Sequence, residues 1–321
     1  AEYIAQARGM IEHMQGVQAE VRLREAMNRG ASRQDIAALM GQAFLLQGDT
    51  EQARRWLGPG LFTPSDAAEG FRSLGRLERR EGNLPAAARA YDKALTLRPT
   101  DASLWVEIAR LRYAGGETVL AVQATRRAYE LKPDDPRVLE LNGQVVRDQS
   151  GLQASLPWFE RGLEKNPADM ALLGEYAATI TEMGRAKESL IVTRHMIKSD
   201  SRFPAPFLDQ TAIAARAGKI DLARSLMNRT RGQMDTVPSA MLIGAALDLA
   251  AGNPASAADT LTELTRKQPA NLTAQMLLAR ALYASGDYRV LVNKFGAAAD
   301  RADATAYLQT LVGRAYENLA E

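Results

Sequence analysis

Seven glycines, Gly48, Gly82, Gly116, Gly184, Gly218, Gly252 and Gly286, fall on one grid with a step of 34 residues. The grid point between Gly116 and Gly184 is Ser150, with Gly151 beside it; extended outward, the grid reaches Met14 and Ala320. No insertion or deletion is needed. A fixed period of this length restricts a chain to a repeat array, in which one supersecondary element stacks on the next. It overrides the two-domain expectation that 321 residues would otherwise carry, because arrays lengthen without a second core. The expectation is a single array over residues 1–321, with repeats beginning near 1, 34, 68, 102, 136, 170, 204, 238 and 272 and a partial repeat at 306–321.

The repeat beginning at Ala68 shows what each one folds into. Phe71, Leu74, Gly75 and Leu77 have helical spacing. Gly82-Asn83 ends that helix, since glycine readily takes the left-handed conformation just past a helix end. Leu84-Pro85 opens a second helix, with proline tolerated in its first turn. Ala87, Tyr91, Ala94 and Leu95 form its apolar stripe, Pro99 stops it, and Thr100-Asp101 caps the next. The repeat is helix–turn–helix.

Numbering each repeat from 1 to 34, with the grid glycine at place 15, exposes a pattern of small residues. Place 8 holds Ala7, Gly41, Gly75, Ala109, Gly143, Ala177, Thr211, Ala245, Ala279 and Gly313; place 20 holds Ala19, Ala53, Ala87, Ala121, Ser155, Ser189, Ala223 and Ala257. These two places are expected to face each other. Place 27 is small at Ala26, Gly60, Ala94, Ala128, Gly162 and Ala298, place 24 is large at Leu23, Leu57, Tyr91, Phe159, Met227, Leu261 and Phe295, and place 32 is proline at Pro99, Pro133, Pro167 and Pro269. In these features the chain resembles the tetratricopeptide repeat (TPR) superfamily, most closely in the repeats carrying Trp105, Ala109, Gly116, Ala121, Ala128 and Pro133. The repeats with Ser201, Asp235 and Asp303 in place of the last proline are degenerate. The resemblance implies an all-α fold: a TPR α-solenoid, wound as a right-handed superhelix of about nine helix–turn–helix repeats plus a terminal helix.

Two stretches break the regularity. Gly58-Pro59-Gly60 should end the second helix near Leu57 and leave Leu61 to Asp66 irregular, because proline removes a backbone donor and clashes with the preceding turn. Ser199 to Pro206 should be kinked. Asn142-Gly143 would ordinarily suggest a hairpin turn, but the register places it inside a first helix.

Little points to chemistry. With no cysteine there are no disulfides, thiol nucleophiles or cysteine metal sites. His13 and His195 lack metal-ligand neighbours at helical spacing, and no metalloprotease, phosphate-loop or hydrolase motif occurs. The reading is a non-enzyme with no cofactor and no metal. The net charge of +2 gives no argument for nucleic acid, and no apolar run reaches the length of a membrane span. The opening residues show no signal peptide, so any targeting segment is expected to have been removed; neither cytoplasm nor periplasm is favoured. Either the helix at 306–321 caps the array, or the natural protein continues.

Family resemblance implies that first helices line a groove through places 2, 5, 9 and 12. On that basis the middle of the array is basic, with Arg72, Arg76, Arg79, Arg110, Arg137 and Arg147 beside Tyr113, and with Glu107 and Glu140 among them. Later repeats offer an apolar stretch of Leu208, Leu242, Ala246, Leu249, Met276 and Tyr283. The lysine and asparagine pattern by which co-chaperone TPR domains grip a terminal carboxylate is absent: place 5 holds no lysine and place 9 no asparagine. The expected function is a scaffold binding a peptide or protein partner in the groove. The setting suggested by similar Ala/Arg-rich, Cys-free arrays is bacterial envelope, secretion or exopolysaccharide assembly. Two alternatives stay open: a module binding an acidic polysaccharide, and a docking arm of a larger enzyme.

Overall fold

The computed structural model describes residues 2–230 and 232–320. Among the described residues there are nineteen α-helices and no strand. Contacts divide the chain into two compact units, one ending at Leu172 and one starting at Leu173. The N-terminal unit holds five helical hairpins: α1 (Glu2–Glu12) with α2 (Gly16–Asn28), α3 (Arg33–Gln47) with α4 (Thr50–Leu57), α5 (Ala67–Arg80) with α6 (Leu84–Leu97), α7 (Ala102–Ala114) with α8 (Thr118–Leu131), and α9 (Pro136–Ser150) with α10 (Leu152–Lys165). The boundary falls at the start of α11 (Met170–Glu182). The C-terminal unit continues with α12 (Ala186–Ser199), α13 (Ala205–Arg216), α14 (Ile220–Asn228), α15 (Pro238–Ala250), α16 (Pro254–Lys267), α17 (Leu272–Ser285), α18 (Tyr288–Ala299) and α19 (Ala306–Ala320). This is the expected nine hairpins and terminal helix.

The turns follow the chemistry of their residues. All seven grid glycines have positive φ, from 72° to 83°. At Gly82 the amide bonds the Arg79 carbonyl and the Asn83 amide bonds the Glu78 carbonyl, so two otherwise orphaned carbonyls of α5 are satisfied. Asn83 then caps α6 through the Ala86 amide, and Asp101 caps α7 through the Ser103 and Leu104 amides. The Trp105 indole donates to the Pro99 carbonyl at 3.0 Å, fastening one repeat to the next. As expected, α4 stops at Leu57, residues 61–66 are irregular, and Asn142-Gly143 lies within α9.

At place 8 the nearest neighbours across the hairpin are the large residues of place 24. A Cβ built on Gly41, Gly75 or Gly143 would lie 2.3 Å from Leu57, 2.5 Å from Tyr91 or 2.3 Å from Phe159, all place-24 residues. The cause is geometric: in an antiparallel hairpin turning near places 15 and 16, residues at one level have place numbers summing to about 31. Place 20 is nonetheless fully buried at Ala19, Ala53, Ala87 and Ala121.

Candidate functional site

The N-terminal unit brings several of the expected arginines onto one face, and it neutralises most of them. Arg72 and Arg76 on α5 both reach Glu107 on α7. The Arg72 Nη2 donates to Glu107 Oε1 at 2.6 Å and the Arg76 Nη2 to the same oxygen at 2.7 Å. Arg72 also meets Asp101 at 3.4 Å, and only 13% of its side chain is exposed. Burial pushes the Glu107 carboxyl up, but the hydrogen bond and charge of Arg76, with those of Arg72, outweigh it and hold it below the ordinary glutamate range. Burial likewise pulls the Arg76 guanidinium down, and Glu107 more than compensates. Arg110 donates to Glu140 at 3.0 Å. Arg137 is tied to Asp135 at 3.0 Å and to the Ser103 hydroxyl at 2.8 Å. The Arg147 guanidinium lies 5.9 Å from the centre of the Phe159 ring.

A groove of about 770 Å³ collects what remains. Of the expected residues Arg76, Arg79 and Arg110 line it; Arg72, Arg137 and Arg147 do not. Arg79 and its neighbour Arg80 are exposed and have no carboxylate partner among the described residues. Apolar side chains from earlier hairpins complete the lining: Ile11, Met14, Leu45 and Leu46, with Gln42 between them. Tyr113 lines a smaller hollow of about 140 Å³ with Leu141 and Val145, and Arg110 and Ala114 border both spaces. Sequence reasoning looked for the groove in the middle repeats and missed Ile11, Gln42 and Leu45. These stand at places 12, 9 and 12 of the first two repeats, so the same rule carried further back finds them.

In the C-terminal unit the expected apolar residues are mostly spent on packing. Leu208 is buried, while Leu242, Leu249, Met276 and Tyr283 are half-buried against a core that includes Met241, Leu278 and Leu282. Tyr283 meets the Tyr288 ring at 5.5 Å; Ala246 is exposed. Beside Leu208, Asp209 was not anticipated. It is buried, its Oδ2 has no hydrogen-bond partner among the described residues, and burial together with the charge of Glu175 pushes its pKa up to about 7. Among the described residues no cluster of metal-ligating side chains occurs, and no helix is long and apolar enough to cross a membrane.

Comparison with known proteins agrees with this geometry. The sequence profile of the tetratricopeptide repeat matches residues 63–136 and 245–290. A TPR repeat-containing protein of Synechococcus elongatus is 27% identical over 195 residues, covering 58% of this chain and 48% of the relative. The chain spans about half or less of the length of the curated relatives it matches. Among solved structures, the Cut9-Hcn1 hetero-tetramer of the APC/C superposes with a TM-score of 0.66 at 14% identity, covering 87% of this chain and 55% of that one. A tetratricopeptide repeat protein from Parabacteroides merdae gives 0.56 at 17% identity, covering 77% and 97%. The glycine-closed hairpins, the profile and these neighbours agree: the chain carries tetratricopeptide repeats over residues 63–136 and 245–290 and has the all-α fold of a TPR solenoid.

Proposed function

We propose that this chain is a non-catalytic scaffold that binds a segment of a partner protein in the groove of its N-terminal unit. TPR proteins generally mediate protein–protein interaction, and the observation that carries the reading here is a mixed lining. Exposed Arg79 and Arg80, without carboxylate partners, stand beside half-buried Ile11, Leu45 and Leu46. Guanidinium groups that cost no internal ion pair are available to a ligand, and adjacent apolar surface gains by being covered. The apolar residues of the C-terminal unit support a second contact less well, because most already pack internally. The pairing of Arg72, Arg76, Arg110 and Arg137 within the fold weighs against an extended acidic polysaccharide, and nothing in the geometry favours an enzyme-docking role. The Ala/Arg-rich, Cys-free composition supports a bacterial envelope or secretion setting.

Site-specific photo-crosslinking tests the groove. A photoreactive residue at position 80 should yield a discrete protein adduct in cells. The same residue at position 119, on α8 and 71% exposed, should not. Equal adducts at both positions, or none at position 80, overturn the reading.

A further inference from the structure

One groove residue is held where its type does not belong. Met14 occupies the grid position that glycine fills in most other repeats, and it has the same backbone. Its φ is +60°, and it is the one described non-glycine residue with positive φ. Its hydrogen bonds are those of the glycine closures: the Met14 amide bonds the Ile11 carbonyl at 3.0 Å and the Gln15 amide bonds the Met10 carbonyl at 2.9 Å, just as Gly48 bonds Leu45 and Asp49 bonds Phe44. A side chain in this conformation is strained, since its Cβ crowds the backbone. Nothing in the fold compensates through packing, because Met14 is 74% exposed. What the side chain does is line the groove. Strain retained at an exposed residue on a cavity wall is a pointer to contact outside the chain.

A second groove residue is also unfinished. Gln42 is 7% exposed and lines the same space, and its Nε2 has no hydrogen-bond partner among the described residues. An amide donor buried this deeply is costly unless something accepts from it. The third observation is charge. Arg79 and Arg80 lack carboxylate partners among the described residues, so the groove offers surplus positive charge on one wall and Met14, Leu45 and Leu46 on another.

Resting on the groove reading above, the geometry points to one class of occupant: an acidic peptide segment with an apolar anchor residue. The anchor lies against Met14, Leu45 and Leu46, a main-chain carbonyl of the segment accepts from the Gln42 Nε2, and flanking carboxylates meet Arg79 and Arg80. Methionine suits the anchor contact because its unbranched thioether adapts to differing apolar shapes. A neutral or basic segment leaves the guanidinium groups unanswered, and a purely acidic one leaves Met14 exposed.

The test selects random twelve-residue peptides displayed on phage against the full chain, then measures synthetic versions by fluorescence anisotropy. Enriched peptides are expected to carry a Leu, Phe or Met with at least two Asp or Glu within four positions. Met14→Gly, Gln42→Leu and the double change Arg79→Gln with Arg80→Gln should each weaken binding roughly tenfold, as for residues central to an interface. Arg126→Gln, on α8 away from the groove, should not. Met14→Gly relieves strain and Gln42→Leu removes an orphaned donor, so neither should lower the melting temperature, which separates binding loss from misfolding. Enrichment of neutral or basic peptides, of none, or of acidic peptides indifferent to these changes overturns the inference. If the enriched peptides are not acidic yet lose binding on Leu46→Gln, the groove reading survives and only the acidic occupant is lost. If no groove substitution affects any selected peptide, both fall.

Discussion

The Tyr91 ring packs against the bare Cα of Gly75, so close that a Cβ there would stand 2.5 Å from the ring. Tyr91 is fully buried, and its ring sets how near α5 and α6 approach. Gly75→Leu should therefore destabilise the fold by overpacking, by about 1–3 kcal/mol. Gly313 occupies the same place of its repeat but has nothing within 4 Å of a built Cβ, so Gly313→Ala should be nearly neutral. Urea unfolding of the two variants reads the difference; equal midpoints would show that the hairpins are not held by this contact.

Met14 and Gly82 form a complementary pair. Both take the left-handed conformation at the same place, and a Cβ on Gly82 would meet nothing within 4 Å. Gly82→Ala should cost about 1–2 kcal/mol from backbone strain alone. Met14→Gly should gain that strain energy and lose part of it to the freer unfolded chain, a net gain of up to about 1 kcal/mol. Thermal melting of both variants checks the opposite signs.

Glu107 holds two arginines at once, and its loss should be felt in stability and in charge. Glu107→Gln leaves the largely buried Arg72 with only its longer contacts to Asp101 and Glu69 and should cost about 1–3 kcal/mol. The parent's pH dependence has a definite sign. A carboxyl held below its ordinary range contributes stability that is present at neutral pH and lost as pH falls through its folded value. Acid titration of the melting temperature should show that loss in the parent and little of it in Glu107→Gln. The same variant removes the nearest carboxylate of Arg72 and Arg76, leaving them only longer contacts to Asp101 and Glu69, so it should bind heparin, as a model polyanion, more tightly than the parent does. Unchanged heparin binding would mean that the pairing is not what keeps these arginines from external anions.

Asp209 should behave in the opposite sense. Its pKa is raised from 3.8 to about 7, so the native state holds a proton that the unfolded chain releases. Stability from this group is complete below about pH 4 and is lost as pH rises through about 7, with a total on the order of a few kcal/mol. Asp209→Asn should match the parent near pH 4 and exceed it at pH 8. Equal pH profiles by differential scanning calorimetry would contradict a buried, protonated Asp209.

The repeat architecture was legible because it is written in backbone demands. A glycine needed at positive φ every 34 residues, a proline at the repeat end and a small residue under a large one each leave a mark in one-dimensional order. The partner of each small residue was not legible. The atoms nearest Gly143 are those of Phe159, because level across a hairpin is counted from the turn and not from chemical resemblance. The arginines show the same limit. Positional rules brought Arg76, Arg79 and Arg110 to the groove, but they could not show that Arg72 and Arg76 share Glu107 while Arg79 stays unpaired. That outcome depends on side-chain reach across neighbouring helices. Met14 lay on the grid from the start, yet a methionine there reads as a lapse of the pattern until its φ is known.

Four arginine bridges between helices of the N-terminal unit have a common stride. Arg72 and Arg76 reach forward to Glu107, Arg110 reaches forward to Glu140, and Arg137 reaches back to Ser103. Each of these bridges crosses to the adjacent repeat and no further, so a changed carboxylate alters the pairing of guanidinium groups only next door. Ligand preference in such a chain can be rewritten by neighbourly edits, while the grammar that closes and stacks the hairpins stays intact.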